Sequence, residues 1–486
     1  MAYNHGVRIL EKPTSLTAPI LSTAAFQVVI GVSPVNLAED PYKATNIVKF
    51  AYSFAEASAA VGYSNNLKDY TLNQSISATF KKFAVAPIAL INVLDPKKHK
   101  DAIPKKSYQV DSMQVTVNIE GILLDTLVVE SGETELQKDT DYITGFNDDG
   151  YAVITLLESG AGAEATTLSI SGEKIDPSKV TKNDIIGGYN VATGKESGLE
   201  LVRQVFPLFG MTPGIITAPG YSKDPVVASV MAVKCLKING LFTCECITDL
   251  DCTNDGATKY TDVKTVKEKS GFVSEHMSVV WPKARIGDEV YYFSAIYSAL
   301  FAFIDASNDN VPNLSVGNKA IPITGLCLDD DEDSEIVIDQ EQANMVNSFG
   351  VSTAINFKGF RSWGNNSAAY PGTSDPKDRW FCCRRFFSWW GNSFILSYFQ
   401  KVDDPANTRL IQSLCDAENI RGNSYVAQNK CAGARITYSE DENPITDILN
   451  GKIQFHQYLA PYTPAEDILN VLEFDPTMLE AALGGE

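Results

Sequence analysis

Apolar residues fall into three patterns along this chain, and each pattern predicts a different kind of element. Unbroken runs come first: residues 25–32 (AFQVVIGV), interrupted only by Gln27, and residues 88–93 (IALINV) read as strands buried on both faces. Between them, 53–61 and 72–83 have helical spacing. Strand, helix, helix, strand argues for an α/β unit, and the absence of a glycine-rich turn after either strand argues against a nucleotide site. A second pattern occupies 108–171, where short β-rich runs (MQVTVNI, ILLDTLVVE, YAVITLL, TLSISG) alternate with turn signals, Asp148-Asp149-Gly150 being the strongest. This stretch predicts an inserted all-β module over about 105–176, delimited by the polar segments HKDAIPKK and EKIDPSKVTKND. From Asp184 the α/β alternation resumes: a helix over 199–206 ended by Pro207, a strand over 214–218, a helix over 225–237, a strand over 241–247 and a helix over 289–305.

The third pattern is strict alternation, and it sits at the two chain ends. Near the N-terminus Val7 and Ile9 alternate with Arg8 and Leu10 in a short strand, followed by the proline-containing linker KPTSLTA. Near the C-terminus Ile453, Phe455 and Gln457 alternate through a strand over 452–458. Pro461 and Pro464 then form a stiff spacer, and a last strand over 466–474 carries Ile468, Leu469, Val471 and Leu472. A strand at a chain end, behind a spacer too stiff for a tight hairpin, is free to pair with the open sheet edge of another subunit.

The expected fold class is therefore α/β (α+β) and multidomain: mixed α/β core domains with an inserted all-β module and terminal strand-exchange arms. Its parts are an N-terminal arm and linker (1–24), an α/β domain in two pieces (25–104 and 181–355), the inserted β-rich module (105–180), a C-terminal domain (356–465) and a C-terminal arm (466–486). A length of 486 residues suits about three domains of roughly 150 residues each.

Composition narrows the function classes. Forty basic against sixty acidic residues give a net charge of −20, which disfavours nucleic-acid binding, and no apolar run reaches membrane-spanning length. The N-terminal segment MAYNHGVRIL lacks a signal-peptide core, so the nine scattered cysteines read as buried thiols made in a reducing compartment. Catalytic patterns are missing. The histidines, at positions 5, 99, 276 and 456, are far apart, and Cys244-x-Cys246 with Cys252 lacks a fourth zinc ligand. GYNVATGKES departs from a phosphate loop at its first glycine and its magnesium-binding position, and no Gly-x-Ser-x-Gly elbow occurs. Asp251-x-Thr253-x-Asp255-Gly256 with Asp262 is half a calcium loop without its bidentate glutamate. The block Asp329–Asp333 reads as a solvated loop. In the aromatic segment Phe387, Trp390, Phe394, Ile395 and Tyr398 fit one core-facing side of a helix better than a base-stacking platform. The expectation is no enzyme, no cofactor and no metal.

One set of motifs is more specific. Trp363-Gly364-Asn365-Asn366, a helical region after Arg384-Arg385, Asn443-Pro444-x-x-Asp447-Ile448-x-x-Gly451, an alternating strand and Pro461-x-x-Pro464-Ala465-Glu466-x-Ile468 occur in an order that resembles the C-terminal region of contractile tail sheath proteins. These belong to phages, phage-tail-like bacteriocins and, more distantly, other contractile injection systems. The resemblance covers the last third of the chain and extends more weakly over 293–326. It implies a structural subunit that polymerises with itself in stacked rings around an inner tail tube protein, engages baseplate and tail terminator proteins, and contracts to drive the tube through a cell envelope. It also implies assembly in a bacterial cytoplasm, neither nucleic-acid partner nor membrane insertion, and a C-terminal domain at the inner radius. The residues expected to exchange between subunits are Val7, Ile9, Ile468, Leu469, Val471 and Leu472, with Ile453, Phe455 and Gln457 on the receiving strand. The rival readings are a non-contractile tube or shell protein and an α/β hydrolase with a β-sandwich accessory module.

Overall fold

The computed structural model describes residues 20–21 and 23–484. In chain order the body begins with strand β1 (Gln27–Gly31), β2 (Val48–Ala51), helix α1 (Phe54–Val61), α2 (Thr71–Ile76) and β3 (Ile88–Asn92). The next segment holds β4 (Lys100–Gln109), β5 (Gln114–Val117), β6 (Val128–Ser131), β7 (Tyr142–Phe146), β8 (Ala152–Leu156) and β9 (Thr167–Ile175). The body then resumes with β10 (Ile215–Thr217), α3 (Pro225–Leu236), β11 (Glu245–Asp249), α4 (Val263–Ser270), β12 (Met277–Val280), α5 (Phe293–Ala306), α6 (Gln340–Ser348), β13 (Val351–Asn356) and β14 (Phe360–Trp363). Last come α7 (Phe381–Tyr398), α8 (Thr408–Ala427), β15 (Gly433–Thr437), α9 (Ile445–Leu449), β16 (His456–Ala460) and α10 (Pro476–Ala482).

The body is an eight-stranded sheet in the order β14-β13-β12-β11-β10-β1-β3-β2. Its six inner strands are parallel, and an antiparallel strand closes each edge. Strands such as β1 and β3 are buried at every position, which is why their sequences are continuous apolar runs. The apolar helix α5 packs across the sheet, with eleven of its residues buried. Its N-terminus is fixed by the fully buried Asp249, whose carboxylate accepts from Ser294 N at 2.9 Å and Oγ at 2.6 Å. The described end of the N-terminal linker, Ile20–Leu21, lies parallel to Val85–Ala86.

Residues 100–175 form two antiparallel sheets, β7-β8-β5 and a four-stranded one containing β4-β9-β6, around a core of their own that includes Val117, Val129, Ile154 and Leu168. HKDAIPKK, read above as a polar delimiter, mostly belongs to β4. Its proline is tolerated because the β4–β9 register shifts between Ile170 and Gly172, beside Pro104, and a bulge needs no ladder donor there.

Other expectations shift. Pro207 does not end a helix: it lies in the first turn of a short helix Val205–Phe209, where its missing N–H has no partner to lose, and the preceding turn is a 3₁₀-helix, Gly198–Gln204. The strand expected over 241–247 starts only at Glu245, because Ile238 and Phe242 bond to each other across a tight turn. The helix expected over 289–305 starts at Phe293, since Glu289–Tyr291 is a strand paired with Lys283–Ile286. The acidic block is not merely a solvated loop. Burial opposes ionisation of Asp329, yet ion pairs with Lys223 and Lys283 hold its carboxyl below the usual range, and Lys283 also reaches Asp333 at 2.8 Å. On α7 the deeply buried aromatics are Phe381, Phe386 and Trp390, while Phe387, Phe394, Ile395 and Tyr398 are only half buried.

Candidate assembly site at the C-terminal arm

Two features meet at the C-terminal end: an arm with nothing to cover it, and a small sheet with room for another strand. The arm starts from a clamp. In the Trp-Gly-Asn-Asn segment, Asn366 Oδ1 accepts from Arg379 Nε at 3.0 Å, which orients the guanidinium so that its Nη2 donates to Glu466 Oε2 at 3.0 Å. Asn365 Nδ2 adds a longer contact to Glu466 Oε1 at 3.4 Å. Arg379 also lies over the Trp380 ring, 4.0 Å from its centre, so the cation is held on both sides. Glu466 is thus the last residue of the arm bonded to the domain. Every residue from 465 to 484 is exposed, and 461–475, on both sides of the clamp, carry no regular secondary structure. Ile468, Leu469, Val471, Leu472 and Phe474 are each at least 68% exposed, an apolar stretch broken only by Asn470 and Glu473 that a finished monomer would not leave in water.

The small sheet pairs β15 antiparallel with β16, Ile436 opposite Gln457 and Ala434 opposite Leu459. Helix α8 backs it. Asn419 on α8 donates from Nδ2 to Ile436 O at 3.1 Å and accepts from Ile436 N at 2.9 Å. Next to it Gly422 packs so tightly against the strand that a Cβ there would lie 2.6 Å from Ala434 O. Between α8 and α7, Trp390 Nε1 donates to the fully buried Glu418 at 2.7 Å, and Arg421 pairs with the same carboxylate at 2.7 Å. Two residues before β16, Asn443 bonds both main-chain groups of Gln454, N to Oδ1 at 2.7 Å and Nδ2 to O at 2.9 Å, and so fixes the chain leading into the strand.

The sequence-derived residues fall into three groups. Val7 and Ile9 lie outside the described residues. Ile468, Leu469, Val471 and Leu472 are all on the exposed arm, which is unpaired in the single chain. Gln457 lies on β16, whereas Ile453 and Phe455 precede it, because the strand runs His456–Ala460. Sequence reasoning did not pick out Asn419, Asn443, Arg379 or Glu466. The signal for two of these was present, since Asn443 and Glu466 stand in the motifs quoted above. Among the described residues, no cluster of His, Cys, Asp or Glu is placed to hold a metal, and no helix is long and apolar enough to cross a membrane. Asp251 of the half calcium loop spends Oδ1 on Thr253, accepting from its N at 3.0 Å and its Oγ1 at 2.8 Å.

The fold is that of subunits in contractile injection systems. A chain of the contracted sheath complex of the extracellular system PVC matches with a TM-score of 0.58 at 13% identity, over 98% of this chain and 99% of that one. A chain of the anti-feeding prophage sheath, also contracted, matches at 0.55 and 12% identity over 97% and 99%. By sequence the chain is a homologue of the phage tail sheath proteins. It is 24% identical to the tail sheath protein of Burkholderia phage BcepMu over 99% of each chain. It is 25% identical to the major tail sheath protein of Serratia phage KSP20 over 69% of this chain and 83% of that one. It is 23% identical to the tail sheath protein of Escherichia phage P2 over 65% and 74%. No protein-family model matches the chain.

Proposed function

We infer that this chain is the structural subunit of a contractile tail sheath, which polymerises around an inner tube and contracts to drive that tube through a target cell envelope. The observation that carries this reading is the end-to-end alignment with a phage tail sheath protein, with 99% of both chains matched. The subunit works by binding its own kind, and no catalytic step is needed. Its partners are further copies of itself, the baseplate, the inner tube and the tail terminator, and assembly takes place in the bacterial cytoplasm.

The exposed arm supports strand exchange as the linkage. Ile468, Leu469, Val471 and Leu472 add to the sheet of a neighbouring copy at the strand containing Gln457, with Ile453 and Phe455 leading into it, and Val7 and Ile9 form a second arm. About five main-chain hydrogen bonds, each roughly 1 kcal/mol net, give on the order of 5 kcal/mol per link before side-chain burial. A link of that kind survives while the bodies rotate. The module over about 105–180 is an appendage on the α/β domain, and the inner-radius part is the C-terminal domain, 356–465. Negative-stain microscopy of the purified protein tests the reading: wide, striated hollow cylinders in long and shortened forms are expected, and monomers or narrow smooth tubes would overturn it.

A further inference from the structure

We propose that the cavity between α7 and the N-terminal ends of β10 and β11 is a binding site for a protonated primary amine, received at its floor by the carboxylate of Glu245 and the hydroxyl of Ser388.

The cavity has a volume of about 200 Å³, room for an alkylammonium chain or for several waters at roughly 30 Å³ each. One face of α7 forms its wall, from Arg385 through Ser388 and Asn392 to Leu396, and opposite it Gly214 leads into β10 and Glu245 opens β11. Thr23 and Leu396 are exposed and mark the mouth, whereas Glu245, Arg385 and Ser388 are at most 5% exposed and mark the floor. The walls are fastened to each other: Asn392 Nδ2 donates to Thr243 O at 2.6 Å, and Oδ1 accepts from Thr243 N at 3.0 Å. The space is therefore built into the fold.

Charge at the floor does not balance. Asp305 takes both terminal nitrogens of Arg385, so that cation is already neutralised. Glu245 is left over. Among the described residues no lysine or arginine pairs with it, and its Oε1 has no hydrogen-bond partner. His276 Nδ1 stands 3.6 Å from Oε1, too far for a hydrogen bond, and lies 3.2 Å from Cys244 O instead. The two carboxylates also feel each other: burial pushes the Asp305 carboxyl up, Arg385 opposes this, and Glu245 adds to the rise. A buried carboxylate without a counter-charge is costly, and a cation entering the cavity removes that cost. Ser388 Oγ is a second buried polar atom without a partner, and a hydroxyl accepts from an ammonium group. Arg385 Nε is the third, and a water carried in beside the amine gives it an acceptor.

The donor set selects the class of cation. Among the described residues no cluster of His, Cys, Asp or Glu is placed to surround a metal ion, so a divalent cation would be short of ligands. A primary ammonium needs fewer: it is a compact charge with three donors, enough for the Glu245 carboxylate, Ser388 Oγ and one water. Pro213, Trp389 and Leu396 line the way in and suit the methylenes behind it. Such an amine comes either as a free alkylamine or as the lysine side chain of a neighbouring protein, and the same groups receive both.

The test uses n-butylammonium, which reproduces a lysine side chain, and tetramethylammonium, a cation with no N–H donor. Binding to the dissociated subunit is followed by saturation-transfer NMR and by the thermal midpoint, so it stands whether or not the chain assembles. n-Butylammonium is expected to bind saturably and to raise the midpoint by mass action, and tetramethylammonium to do neither. Glu245→Gln keeps the shape, removes the charge and should abolish binding. Ser388→Ala should weaken it about tenfold, as expected for one hydrogen bond to a charged group, and decides the matter should Glu245→Gln fail to fold. No saturable binding to the parent subunit, or unaltered binding to either variant, would overturn the site. Assembled polymer then separates the two sources. Binding that persists there assigns the site to a free amine, and binding that is lost assigns it to a neighbour's lysine.

Discussion

Arg385 on α7 and Asp305 on α5 face each other as an ion pair almost sealed from solvent, the arginine 2% exposed and the aspartate 0%. Nη1 donates to Oδ1 at 3.3 Å, Nη2 donates to Oδ2, and the guanidinium lies 4.5 Å from the centre of the Phe301 ring. The pair joins the helix that crosses the body sheet to the first helix of the C-terminal region. Arg385→Ala leaves a buried carboxylate unpaired and should cost about 3–5 kcal/mol, whereas Arg385→Met with Asp305→Leu should be much milder. Urea unfolding followed by tryptophan fluorescence compares the two.

Lys267 predicts a dependence on pH. Its amine donates to Phe349 O at 2.6 Å, Ala368 O at 2.7 Å and Tyr370 O at 2.8 Å, and burial lowers its pKa from 10.5 to about 8. Between those values the unfolded chain binds the extra proton and the folded chain does not, so this group makes stability rise with pH. Its contribution is complete above 10.5 and is lost as the pH falls through about 8. Lys267→Met should flatten the rise in thermal midpoint over that window, measured against the parent chain.

Gly422 sets the distance between α8 and β15. Gly422→Val would force the strand away by bringing a side chain within 2.6 Å of Ala434 O, at a cost of about 1–3 kcal/mol. Hydrogen exchange should accelerate over 433–437 and 456–460 while β1 and β3 stay protected, and sheath assembly should weaken. Equal acceleration across the body would show that the small sheet is not a separate unit.

Val471 lies in the middle of the exposed arm and touches no core. Val471→Pro removes one ladder donor and restricts φ, so the monomer should keep its circular dichroism spectrum and thermal midpoint while failing to form sheaths. A variant that assembles and contracts normally would show that the arm does not donate a strand.

What could be read in the sequence was whatever a local period decides. β1 and β3 are buried on both faces, so their own residues announce them, and Asn147–Gly150 makes the turn between β7 and β8 that its Asp-Gly dipeptide favours. The motifs around Trp363 and Pro461 carried the resemblance to tail sheath proteins, to one of which the chain is 24% identical from end to end. Hidden from a linear reading were features made by distant partners. Pro104 sits within β4 because a register shift in the β4–β9 pair accommodates it, and Asp329 is drawn inward by Lys223 and Lys283. The hold of α8 on β15 depends on Asn419, an ordinary polar residue on a helix whose role exists only once the strand lies beside it.

The β-rich segment leaves and rejoins the body at one point. Lys100 and Ile175 are direct ladder partners, and Asp176 N donates to His99 O at 2.9 Å just outside them. The body sees two chain ends only about 5 Å apart, a gap that a short turn closes as well as a whole domain does. This neck makes the segment exchangeable: its size and chemistry could change without altering the register of the eight-stranded sheet from which it departs.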